Sequence, residues 1–216
     1  MNDNQKTRDE VLAAIRMALH DTGQPQAVLP IVASNLVFKS QEEGLVAGFT
    51  RVFSSIDGQV IRCENDSQLA GELTALVKRK GWTKVSARSQ WLEQRRGQEA
   101  FEWILATLVD GDFTHTEAGI TDCEHLVAQT GSVVMSTAQS AGRAFPVYVP
   151  VHIVIANEAQ LVYSLDEAIL QMEQRYQGDY PSTWYLMSGP SRTGDIEKTL
   201  VLGVHGPVEV YVFLVK

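Results

Sequence analysis

Cysteine is scarce in this chain: 216 residues include two, Cys63 and Cys123. Two thiols cannot form a disulfide framework, and they fall short of the four thiolates that an iron–sulfur cluster usually takes. Long apolar runs are lacking as well. No stretch approaches the roughly 18 residues of a membrane-crossing helix, and the first 20 residues have no apolar core of a secretory signal. With so few cysteines, the expected setting is reducing and cytoplasmic. Positive charge is not in excess either. A formal net charge of −8 weighs against binding nucleic acid or an anionic membrane through bulk charge. The five histidines form no HxH or HExxH pair, so no metal site is expected. Neither GxxxxGK[ST] nor GxGxxG occurs, so the common nucleotide fingerprints are missing too.

What is present is ordinary globular composition, 44% apolar and 20% charged. A chain of this length can bury roughly 70% of its unfolded surface and needs no covalent staple. Residues 7–19 carry Val11, Ala14, Ile15, Ala18 and Leu19 on one helical stripe, with Thr7 as cap and Glu10 as its capping-box partner. A stretch with Gly23, Pro25 and Pro30 follows. Residues 1–35 therefore read as a helix and linker arm, docked on its own domain or on a partner. Residues 36–216 read as one α/β domain.

Within that domain helices and strands alternate. Helices are expected over 41–55, 67–80, 99–108 and 164–176; Gly81 stops the second, and Ser164 with Glu167 opens the last. Phe101, Trp103, Ile104 and Leu108 have helical spacing and read as core. Strands are expected over 59–63, 84–87, 132–136, 152–156, 184–187 and 208–215. The later runs are apolar and β-branched enough to be buried on both faces. This alternation implies βαβ units and a largely parallel sheet covered on both sides.

Three polar, glycine-rich turns adjoin apolar strands, and in open α/β sheets ligands bind at strand ends. The first runs from Ser188 and Gly189 through Ser191, Arg192, Thr193 and Asp195 to Glu197. It reads as a strand-to-helix turn in which Ser191 or Thr193 caps the helix, free N–H groups attract an anion and Arg192 adds a charged fork. Asp195 and Glu197 already complement such a helix start and would oppose a bare phosphate. The second turn places His205 between Gly203 and Gly206, with a pKa suited to acid–base work or simply to bonding its own turn. The third joins Glu117–Asp122 to Thr130, Gly131 and Ser132, with Asp122 and Glu124 read as a helix start. His152 reads as a hydrogen-bonded, partly buried strand residue. Cys123 beside His125 reads as a core or surface cysteine rather than a nucleophile.

At these segments the chain resembles the LutC/YkgG-type lactate utilization proteins built from a LUD domain. The resemblance rests on Gly119-Ile120-Thr121 with Thr130-Gly131-Ser132, Pro150 with His152-Ile153-Val154, Ser188 through Glu197, and Gly203-Val204-His205-Gly206-Pro207. It covers about residues 40–216, and the last two segments are the specific ones. Two positions depart: Gln129 stands where members often carry an acid, and Gly194 where alanine is frequent. The resemblance implies a NagB/RpiA/CoA-transferase-like fold, a three-layer α/β/α sandwich. It also implies a part in oxidising L-lactate to pyruvate beside iron–sulfur partner subunits. With two cysteines this chain would hold no cofactor of its own, and the clusters would lie in those partners. No catalytic residue carries over from the resemblance. Two functions follow as expectations: an accessory or ligand-binding subunit of such a system, or an autonomous enzyme taking a small anionic, phosphorylated or CoA-type substrate in a strand-end cleft.

Overall fold

The computed structural model describes residues 3–20, 44–109, 115–139, 141–196, 199–203 and 205–216. The expected linker and Glu197 lie outside the described residues. Two compact units are distinguished, residues 1–39 and 40–216. The first contains α1 (Asp3–His20), which begins four residues before Thr7. Thr7 is thus an interior helix residue and not the cap that its sequence pattern suggested.

In the second unit the early elements follow their local signals. Helix α2 (Leu45–Ser55) leads into β1 (Gln59–Cys63), and α3 (Asp66–Lys80) begins where the Asn65 side chain accepts from the Gln68 N–H. Gly81 ends α3 at φ 70°, a left-handed conformation that costs glycine nothing. Strand β2 (Val85–Arg88), the short α4 (Gln90–Glu93), α5 (Glu99–Thr107) and β3 (Ala118–Asp122) follow. Phe101 and Ile104 of α5 are core, as their spacing implies. Trp103 is not: it is 40% exposed, with the Lys78 ammonium 4.5 Å above its ring.

The remaining elements are β4 (His125–Val127), β5 (Ser132–Ser136), α6 (Phe145–Tyr148), β6 (Val151–Asn157), β7 (Leu161–Val162), α7 (Leu165–Tyr176), β8 (Trp184–Met187), β9 (Arg192–Ile196), β10 (Thr199–Leu202) and β11 (Glu209–Val215). Five strands form an all-parallel sheet in the order β1-β11-β6-β3-β2. Four others form a mixed sheet in the order β7-β4-β5-β8. The expected α/β class with a parallel sheet is present, and the second sheet is an addition that the strand pattern alone did not resolve.

Side-chain alternation along the central strands sets the layers. Val151, Ile153, Ile155, Tyr211, Phe213 and Val215 face a core completed by α3 and α5. Val154, Ala156, Val210, Val212 and Leu214 face the opposite way, onto Phe49 and Phe53 of α2, Phe145 of α6, and the inner residues of the mixed sheet. The far side of the mixed sheet is covered by Ala168 and Met172 of α7. Where a single helical layer is expected on that face of the parallel sheet, α2 and α6 share the position with the second sheet.

Candidate functional site

The segment after β8 is not the start of a helix. Residues 192–196 form β9, which pairs antiparallel with β10 in a separate two-stranded hairpin. Thr193 and Asp195 therefore lie in a strand, and the helix N-terminus proposed as an anion site does not exist there. Serine, aspartate and glutamate at helix-start spacing imitate a capping pattern, while pairing with β10 satisfies the backbone instead. Arg192 forms an ion pair with Asp57, which sits at φ 63° in the turn between α2 and β1.

Two of the expected turns, at Thr130 and Ser188, meet on the end of α2, and the His205 turn reaches them through Ser191. The hydroxyls of Thr130, Ser132 and Ser188 form a chain with two oxygen–oxygen distances of 2.7 Å. Gly131 and Gly189, both at positive φ, lie so close to α2 that a β-carbon would stand 2.8 Å from the Phe53 nitrogen and 2.5 Å from the Ile56 oxygen, respectively. The Ser191 N–H donates to the Pro207 carbonyl at 2.8 Å, and its hydroxyl accepts from the His205 N–H at 3.4 Å. The His205 turn precedes β11, so it lies at the amino end of the parallel sheet. Ligands of open α/β sheets bind at the opposite end.

At that carboxyl end lies a polar cleft of about 190 Å³, lined by Gln90, Asp122, Glu124, Ala138, Gln139, Arg175 and Tyr176. Gln90 follows β2 and Asp122 ends β3, two neighbouring strands of the parallel sheet. Asp122 and Glu124 do not begin a helix; Asp122 ends β3, and Glu124 follows Cys123 in the two-residue link to β4. Asp122 accepts from the Ser89 hydroxyl and from the N–H groups of Gln90 (2.7 Å) and Trp91 (3.2 Å). The Glu124 carboxylate is buried, accepting from Ser136 (2.6 Å), Tyr176 (2.5 Å) and the guanidinium of Arg175 (2.5 Å). Arg175 keeps 52% of its side chain exposed.

Burial sets the titration of this region. It raises the Asp122 carboxyl above its usual range, against the opposing hydrogen bonds from Ser89, Trp91 and Gln90. It raises the Tyr176 phenol, helped by Glu124, and lowers His125. His152 is wholly buried, with Nε2 2.8 Å from the Thr121 hydroxyl and Nδ1 without a partner among the described residues. Desolvation drops its pKa to about 3. His152 is thus neither partly buried nor fully hydrogen-bonded, and it stays neutral in the folded protein at physiological pH. The thiols are also buried: Cys63 is pushed up to about 11, and Cys123 is raised by burial and by the adjacent Asp122 and Glu124.

Sequence reasoning missed Gln90, Gln139, Arg175 and Tyr176, which come from separate segments and form no motif. Asp122 and Glu124 offered the one usable signal, two acids bracketing a cysteine directly after the apolar run of β3.

A single α/β domain with ligand-sized space at the carboxyl ends of parallel strands defines the class. The LUD domain family profile matches residues 46–215, and the chain belongs to that family. It is similar to lactate utilization protein C of Bacillus licheniformis, 31% identical over 125 residues that cover 56% of this chain and 52% of that protein. Lactate utilization protein C of Exiguobacterium is 26% identical over 186 residues, covering 82% of this chain and 80% of that protein. In several of these matches the chain spans about half the length of the curated relative. The crystal structure of a DUF162 family protein from Deinococcus radiodurans superposes with a TM-score of 0.57 at 15% identity, covering 80% of this chain and 96% of that one. That likeness shows the shared fold.

Proposed function

We propose that this protein is an accessory or ligand-binding subunit of an iron–sulfur system that oxidises L-lactate to pyruvate. Family membership and the names of its relatives support a part in lactate utilization. The state of the cysteines carries the division of labour. Each thiol is buried in a different core, and each is held in its protonated form by desolvation. A cluster ligand must be a thiolate, and neither residue is placed to become one. Electron transfer is therefore assigned to iron–sulfur partner subunits, in a cytoplasmic setting. No helix among the described residues is long and apolar enough to cross a membrane. The NagB/RpiA/CoA-transferase-like relation of the fold belongs to this same reading.

An autonomous enzyme for phosphorylated or CoA-type substrates is less well supported. Its anion site needed a helix start after Gly189, but β9 occupies that segment and Arg192 is already paired.

Deletion of the gene tests the proposal. Loss of growth on L-lactate, restored by the intact gene, is expected, together with co-purification of iron-containing partners. Normal growth of the deletion strain on L-lactate as sole carbon source overturns it.

A further inference from the structure

The polar atoms of the cleft divide into two sets. Its carboxylates are occupied from within the protein: Asp122 by Ser89, Gln90 and Trp91, and Glu124 by Ser136, Tyr176 and Arg175. Among the described residues, unpartnered donors remain beside them, together with the Gln90 side-chain oxygen. Arg175 engages Glu124 through Nη1 and keeps its other N–H groups. Gln139 gives Oε1 to the Ser136 N–H at 3.4 Å and keeps its amino group. The Gln90 side chain, exposed at the rim, keeps its amide.

Occupied acceptors beside free donors make a site for an acceptor-rich ligand, and a guanidinium fork matches the planar oxygen pair of a carboxylate. We propose that this cleft binds the carboxylate group of a small organic acid. Arg175 supplies the charged fork, and the Gln139 and Gln90 amides supply the remaining donors. The two resident acids do not veto such a ligand. Glu124 is occupied by Ser136, Tyr176 and the Arg175 Nη1, and Asp122 by Ser89 and the N–H groups of Gln90 and Trp91, so donors of the protein screen both carboxylates. A volume of about 190 Å³ lies below the roughly 300–1,000 Å³ of sites for drug-sized ligands, which fits an acid of few carbons. The choice of L-lactate and pyruvate as first probes rests on the proposed function; the carboxylate specificity rests on the cleft alone.

Calorimetric titration of the intact chain with L-lactate, pyruvate, acetate, succinate and inorganic phosphate tests this. Saturable binding of at least one carboxylate is expected, tighter than phosphate. Replacing Arg175→Met together with Glu124→Gln removes the fork without stranding a buried charge, and is expected to weaken binding at least tenfold. Gln90→Glu, at the exposed rim, is expected to weaken binding severalfold at an unchanged melting temperature. Failure of every carboxylate to bind at millimolar concentration, preference for phosphate, or unchanged binding in both variants overturns the proposal. Binding of succinate or acetate but neither lactate nor pyruvate supports the cleft and counts against the lactate reading. Lactate-dependent growth of the wild type without carboxylate binding does the reverse.

Discussion

Arg192, at the start of β9, is held by Asp57 in the turn between α2 and β1. Both side chains are substantially exposed, at 37% and 70%. Exposed pairs contribute about 0–1 kcal/mol because water and salt screen them. Arg192→Ala is therefore expected to shift unfolding free energy in urea by less than about 1 kcal/mol. A loss several times larger would mean that Arg192 anchors more than this turn.

Two glycines at similar backbone angles provide a matched contrast. Gly189 has φ 71°, and its missing β-carbon would stand 2.5 Å from the Ile56 carbonyl oxygen. Gly142 has φ 58° and, among the described residues, nothing within 4 Å of that position. Left-handed backbone alone costs an alanine roughly 1–2 kcal/mol. Gly142→Ala should lose about that much, whereas Gly189→Ala should lose clearly more, because backbone must move. Equal urea midpoints for the two variants would remove Gly189 from the packing against α2.

His152 makes stability fall in acid. Its folded pKa of about 3 lies below the ordinary histidine value of 6.5, so the unfolded chain binds a proton that the native core refuses. Its contribution is constant above pH 6.5 and declines between there and pH 3, with a limiting slope of about 1.4 kcal/mol per pH unit. His125, also lowered by burial, acts in the same direction. Proton NMR of the folded protein should show the His152 ring neutral down to acid unfolding. A titration midpoint near 6.5 under native conditions would contradict the buried, half-bonded ring.

Both thiols should be silent in the native state. At pH 8, a pKa of about 11 leaves Cys63 far from the thiolate form, and burial of Cys123 blocks approach as well. A colorimetric disulfide reagent is expected to modify neither residue on the native protein and both after denaturation. Rapid modification of either native thiol would undermine the assignment of cluster chemistry to partner subunits.

Local signals proved readable where one segment carries its own instructions. Gly81 stops α3 in the left-handed conformation that its position after Lys80 implies, and Ser164 accepts from the Glu167 N–H at the start of α7. The apolar runs of β5, β6 and β11 are buried as their composition predicts, whereas β8, read the same way, is part-exposed with Leu186 open to solvent. Tertiary pairing defeats the same reasoning in β9, where a capping-like pattern is overridden by bonding to β10. It also conceals the cleft, since Gln90, Glu124, Gln139 and Arg175 meet only through strand order and the docking of α7. The Thr130-Gly131-Ser132 and Ser188-Gly189 turns of the resemblance pack on the end of α2 and do not line that cleft. Recurring turns can thus mark the fold's joints as readily as its chemistry.

Strand β11 occupies a position with consequences for assembly. It is flanked by β1 on one side and β6 on the other, so Tyr211 lies opposite both Gln59 and Ile153. Strand β1 therefore has no place in the sheet until about 150 further residues have left the ribosome. Such distant pairing slows folding, because the chain must close a long loop before the pairing stabilises it. The hydrogen-bonding edge of β1 stays unpaired through most of synthesis, and the edge of β6 facing away from β3 stays unpaired until β11 follows. Chaperone demand should accordingly peak just before β11 emerges, and a nascent chain stalled ahead of Glu209 should be the form most prone to aggregate.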